Sequence, residues 1–254
     1  MWNDFRTDGD LSVRAAITTY HRDATTRHGY LARPDDDRAH PGVVLVHHMP
    51  GWDEFSFEMA ERIARHGFQV FCPDLYCGFG HGQPDDVAAV ARAAGGVSDE
   101  SVVADAAASL ALLRALPGAT GRVGVIGPCS GGRHALLVAS LLENVDAVVD
   151  LWGGRVVMAP EELSAERPVA PIDYTERLTA PLLGIFGNDD KSPSPAQVDA
   201  HEAELRRLEK TYTFHRYDGA GHGFFYYHTD LYRPTAAMDA WNKVFAFLTE
   251  TLRA

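Results

Sequence analysis

Residues 123–135 read VGVIGPCSGGRHA: an apolar, β-branched run, then Gly127-Pro128-Cys129-Ser130-Gly131, then a segment rich in small residues and leucine. The apolar run has the length and composition of a strand covered on both faces. Gly131 to Leu142 reads as a helix. A strand-to-helix turn centred on Cys129 forces that residue into a strained conformation and pushes its side chain into the open. Gly127 and Gly131 suit the turn, because a Cβ at either would collide with the neighbouring strand or helix. The helix points its N-terminus at the sulfur, and its dipole favours a thiolate there. The Ser130 N–H is placed to bind a developing oxyanion. Cys129 is therefore the candidate nucleophile. Ser130 is not, because Pro128 breaks its frame. Cys72 and Cys77 lack this context and read as ordinary cysteines.

Working outward, strands and helices alternate. Val13 to His21 and Gly29 to Ala32 form an antiparallel entry, with a polar turn at Arg33-Pro34-Asp35-Asp36-Asp37. Strands are expected at 42–46, 69–72, 122–126, 147–151, 182–186 and 211–217. Helices are expected at 55–67, 98–116, 131–142, 195–209 and 235–252. This pattern predicts an α/β fold with a mostly parallel central sheet and helices on both faces. No repeat or linker divides residues 1–254, so one domain is expected. Two stretches depart from the alternation. Residues 77–98 read as a loop with a short Ala-rich helix, and 155–171 as an excursion over the sheet. Both belong at the C-terminal strand ends, where open α/β sheets bind ligands.

In a fold that presents its nucleophile this way, the acid and then a histidine follow in the chain. The run 182–186 enters Gly187-Asn188-Asp189-Asp190, which places a carboxylate just past a strand end. Asp190 is the chosen acid and Asp189 the alternative. After the last strand comes Gly219-Ala220-Gly221-His222-Gly223, a histidine between glycines with no packing reason to be there. Asp190 would hold the imidazole tautomer, and His222 would take the thiol proton. His201, His215 and His228 carry no such signal.

The bulk composition narrows the class. A net charge of -12, from 35 acidic and 23 basic residues, disfavours nucleic acid as a partner. Three cysteines are too few and too odd a number for a disulfide framework, which fits a reducing compartment. The opening MWNDFRTDGD has no basic-then-apolar leader, and no apolar run approaches bilayer length. A cytoplasmic protein is expected. There is no CxxC pair, HExxH or Walker segment.

The Cys129 turn resembles that of the dienelactone hydrolase (carboxymethylenebutenolidase) family of the α/β-hydrolase superfamily. Five further segments share the resemblance in order: Gly29-Tyr30-Leu31, Val44 through Gly51, Cys72-Pro73-Asp74-Leu75-Tyr76, Gly187-Asn188-Asp189-Asp190, and Gly219 through Phe224. The resemblance implies a Cys-His-Asp triad that opens an unsaturated lactone or related ester, with no metal or cofactor. It also implies a second oxyanion donor, here the Met49 N–H, paired with that of Ser130.

Two departures alter the substrate expectation. His48 stands where type members place a glutamate against the resting thiol; it is expected to stabilise the thiolate or to bond to substrate. Gly78 and Tyr226 stand where type members use arginines on the substrate carboxylate. A less charged ester or lactone is therefore expected. Its apolar walls would come from Trp52, Phe79, Trp152, Phe225 and Tyr226, with Arg133 and Arg155 offering charge from other directions. His47 is assigned no role, because strand alternation would point it away. A non-catalytic small-molecule binding or sensing protein, and a thiol acyltransferase, are the competing readings. The oligomeric state, monomer or homodimer, stays open.

Overall fold

The computed structural model describes residues 9–253; residues 1–8, where a leader was sought, and Ala254 lie outside it. The chain opens with a hairpin, β1 (Val13–Arg22) and β2 (Thr25–Pro34). It continues through β3 (His40–Leu45), α1 (Glu54–Arg65), β4 (Gln69–Pro73), α2 (Pro84–Ala93) and α3 (Asp99–Ala115). Then come β5 (Ala119–Pro128), α4 (Ser130–Leu141), β6 (Ala147–Leu151) and β7 (Leu182–Gly187). The last elements are α5 (Pro195–Arg207), β8 (Tyr212–Tyr217) and α6 (Pro234–Leu252). The strands form one sheet in the order β1-β2-β4-β3-β5-β6-β7-β8. The hairpin joins β4 antiparallel, and every pairing from β4 to β8 is parallel. This is the α/β-hydrolase fold.

The strand sequences explain the layers. Val43 and Leu45 of β3 face one side, while Val44 faces the other with Val46 just past the strand end; all are buried. On the first face they meet Met59 and Ile63 of α1 and Trp241, Val244 and Leu248 of α6. On the second they meet Val102, Leu110 and Leu113 of α3 and Leu136 of α4. Each large apolar side chain so enclosed contributes about 1.5–3 kcal/mol. Capping fixes the helix starts: Asp53 accepts from the Ser56 N–H at α1, and Ser98 from the Ser101 N–H at α3. No described helix is long and apolar enough to cross a membrane.

The two irregular stretches pack on each other. Between α2 and α3 the chain turns through Gly95 and Gly96, both at positive φ. The Asp99 N–H just beyond that turn donates to the Glu166 carbonyl in the 155–171 excursion, at 2.8 Å. The pair forms one wall over the strand ends.

Candidate active site

Three loops at the C-terminal strand ends carry the candidate triad. Cys129, between β5 and α4, has φ 55 and ψ -122, a conformation that ordinary side chains rarely adopt. Packing enforces it. A Cβ on Gly127 would lie 2.3 Å from the Gly131 carbonyl carbon, and one on Gly131 would lie 2.0 Å from the Val46 carbonyl oxygen. The Cys129 N–H is tied to the Leu151 carbonyl at 2.9 Å. Ser130 opens α4, so its N–H is one that a helix leaves unpaired. Among the described residues neither the Ser130 nor the Met49 N–H has a hydrogen-bond partner. Both residues line the cavity beside Cys129.

Asp190 follows β7 and is buried. Its Oδ2 accepts from His222 Nδ1 at 2.8 Å, and its Oδ1 accepts from the Ser192 N–H at 2.8 Å. Its neighbour Asp189 is exposed and has no contact with the imidazole. His222 follows β8 and borders the same cavity as Cys129. Burial opposes a charge on His222. Its bond to Asp190 and its interaction with the Cys129 side chain outweigh that, so the ring is raised to about 10.

The six expected pocket residues do not border this cavity. Trp152 and Phe225 are fully buried in the core, ring to ring at 4.7 Å, where their area is worth most. Trp52 packs on Phe57 and donates from its indole to the Cys72 carbonyl. Phe79, half-buried, sits edge-on to Tyr76 against the core of the opposite face. His48 uses both ring nitrogens internally. Nδ1 meets the Tyr226 hydroxyl at 2.8 Å, and Nε2 meets Asp53 Oδ2 at 2.7 Å. His48 and Tyr226 thus satisfy each other and lie outside the residues that line this cavity.

His47, assigned no role from sequence, lines the cavity instead. Its Nδ1–H donates to the His48 carbonyl, and its Nε2 accepts from the Leu75 N–H. That pattern suits only the neutral ring, which burial pushes down to about 4. Alternation misassigned the two histidines because β3 ends at Leu45, and beyond a strand's last residue side chains need not alternate.

The cavity holds about 560 Å³. Its charged lining is mostly basic: Arg92, Arg133, Arg155, Arg167 and Lys191, with Asp190 the lone acid among the described lining residues. Arg133 forms a two-pronged pair with Asp99, at 2.5 and 2.8 Å. Arg92 and Arg167 escaped the sequence reading, because each comes from an irregular stretch whose folding over the sheet no local pattern reveals.

Comparison with known proteins places these features in context. The model of the dienelactone hydrolase family matches residues 28–252. A candidate carboxymethylenebutenolidase of Synechocystis sp. is 30% identical over 241 residues, covering 92% of this chain and 96% of that one. A candidate 2-oxo-3-(5-oxofuran-2-ylidene)propanoate lactonase of a Bradyrhizobium species is 27% identical, covering 88% and 89%. A crystal structure of a candidate dienelactone hydrolase from Klebsiella pneumoniae superposes with a TM-score of 0.86 at 26% identity, covering 94% and 99%.

Proposed function

This chain belongs to the dienelactone hydrolase family and is an ester or lactone hydrolase, and we propose that it works through Cys129, His222 and Asp190 by way of a thioester on the cysteine. The observation that carries this reading is the convergence of a sulfur at a strained strand-to-helix turn with an imidazole whose far nitrogen is held by a buried carboxylate. The whole chain is read as one catalytic domain acting in the cytoplasm on a small molecule.

The chemistry follows from the atoms. With Nδ1 held by Asp190, the Nε2 side of His222 takes the Cys129 proton, and the imidazolium so formed is stabilised by the carboxylate. The thiolate attacks the substrate carbonyl. Its oxygen becomes an oxyanion within reach of the Met49 and Ser130 N–H groups, both still free to donate. The carbon–oxygen bond of the ester then breaks, and the leaving alkoxide takes the imidazolium proton. From a lactone, that alcohol stays attached to the acyl chain. Water, deprotonated by the neutral His222, next attacks the thioester. The carbon–sulfur bond breaks, the acid departs, and the thiol is restored.

A p-nitrophenyl ester with Cys129→Ala protein, or with protein alkylated by iodoacetamide, tests this. Turnover is expected to vanish with the fold intact, and wild-type protein quenched early should carry the acyl mass on the 129-containing peptide. Activity that survives both treatments would overturn the cysteine mechanism.

A further inference from the structure

Two departures from the family's pattern, His48 and Tyr226, meet each other. They stand 178 residues apart in the chain, yet the imidazole Nδ1 lies 2.8 Å from the phenol oxygen. His48 is buried, and its other nitrogen meets Asp53 Oδ2 at 2.7 Å. The direction of each bond follows from charge. Burial pushes the Asp53 carboxyl up, but its bonds from His48 and Ser56 outweigh that and hold it below its ordinary value. An ionised carboxylate only accepts, so Nε2 carries the hydrogen of the neutral ring and Nδ1 accepts from the Tyr226 O–H. Burial, and then the nearby Cys129, push the phenol well up, so it keeps its hydrogen. Tyr226, His48 and Asp53 thus form a directed chain of hydrogen bonds.

The chain spans two loops that carry the reaction. His48 lies between His47 and Met49, in a turn closed by the Gly51 N–H on the His48 carbonyl at 3.0 Å. The Met49 carbonyl accepts from the Tyr76 hydroxyl at 2.9 Å, while the Met49 N–H stays free. At the other end the Tyr226 N–H donates to the Gly223 carbonyl at 2.8 Å. The Tyr226 ring lies against Gly223: a Cβ there would stand 2.4 Å from its Cδ2 and Cε2. Gly223, with φ 70, is the residue after His222. In the sheet, β5, β6 and β7 separate β3 from β8. No strand pairing therefore joins the Met49 loop to the His222 loop, and the phenol–imidazole bond crosses that gap directly.

We propose that His48 is a positioning residue: with Asp53 and Tyr226 it clasps the Met49 loop to the His222 loop. The oxyanion donor and the imidazole are thereby kept in register for one substrate carbonyl. A buried bond of this kind is not exchanged for one to water, so it holds its length. The inference deepens the reading of Cys129 and His222 as the reacting pair and rests on it. His48 and Tyr226 do not line the cavity, so their loss belongs in kcat rather than in KM.

The test is turnover of p-nitrophenyl acetate by wild type, Tyr226→Phe, His48→Gln and the double variant, each beside a urea unfolding curve. Tyr226→Phe keeps a ring on Gly223 and removes only the hydroxyl. In that variant kcat should fall roughly 10-fold, as for the loss of one buried hydrogen bond, with KM within about threefold. The double variant should be no slower than the slower single one, because either change already opens the clasp. A lowered urea midpoint with kcat unchanged would show a role in stability alone and overturn the proposal. Losses that multiply in the double variant would show two independent residues and overturn it too. Should His48→Gln not fold, kcat of Tyr226→Phe decides. If wild type turns over no ester, or turnover survives Cys129→Ala, the proposed function fails. The clasp is then read from the rate at which iodoacetamide alkylates Cys129, which depends on the thiolate and so on the placement of His222. Slower alkylation in Tyr226→Phe supports the clasp, and equal rates overturn it.

Discussion

Replacing Gly131 with alanine puts a Cβ 2.0 Å from the Val46 carbonyl oxygen and 3.0 Å from that of His47. Both oxygens are backbone, so no side chain can swing away. Real Cβ atoms essentially never come closer than 3.0 Å, so the first turn of α4 and the end of β3 must part by about 1 Å. That movement separates the two segments that hold the Ser130 and Met49 N–H groups. A misplacement of that size costs roughly 100-fold in rate, and overpacking costs about 1–3 kcal/mol in stability. The assay is kcat on a p-nitrophenyl ester at saturating substrate, beside a urea unfolding curve. The expected result is a folded protein with a lowered urea midpoint and kcat reduced by roughly two orders of magnitude. A Gly131→Ala protein that unfolds at a lower urea concentration yet keeps kcat within a factor of about three would refute the link between this close approach and the oxyanion donors.

Asp190→Asn should lower kcat by roughly 10³–10⁴-fold, whereas Asp189→Asn should leave it within about threefold, as for an exposed residue without partners; steady-state kinetics on both variants separates them, and equal losses would remove Asp190 from its assigned place. With His222 raised to about 10, the imidazolium that protonates the leaving group persists into alkaline solution. The kcat/KM profile should therefore fall only near that pH, and a fall near the ordinary histidine value would contradict the contact with Asp190. His201 is buried and neutral, lowered to about 4 by burial. The unfolded chain takes up that proton near 6.5, before the folded protein can, so stability is lost as pH drops from about 6.5 to about 4. By pH 5 the loss for this one residue is about 2 kcal/mol. Urea midpoints at neutral pH and at pH 5 should differ less in His201→Leu, and an unchanged difference would show that His201 is not the titrating group.

The parts of this molecule written locally were legible before any coordinates. Most of the parallel strands read as short runs rich in Val, Ile and Leu, as at residues 42–46, 147–151 and 182–186, and their alternation with helical segments gives the strand count, the order of elements and the fold class. Cys129, Asp190 and His222 each sit just past a strand in a glycine-containing turn, and that context singles them out. The cavity wall was not legible. Arg167 is placed by the packing of the excursion against a turn some seventy residues earlier, through the Glu166 carbonyl and Gly96. No periodicity encodes that contact. The aromatics misled for a related reason: Trp152 lies just past a parallel strand and Phe225 just past His222, but their large rings are worth more packed together than lining a wet cavity.

Asp53 answers to two masters. Its Oδ1 anchors the first turn of α1, and its Oδ2 grips the imidazole that in turn meets the Tyr226 hydroxyl. The start of a helix on the first face and an aromatic four residues beyond His222 are thereby geared together through a single carboxylate. A longer glutamate could not keep both grips at once, so drift at this position is resisted from two directions, and a slackened helix start would be felt as a tilt of the tyrosine.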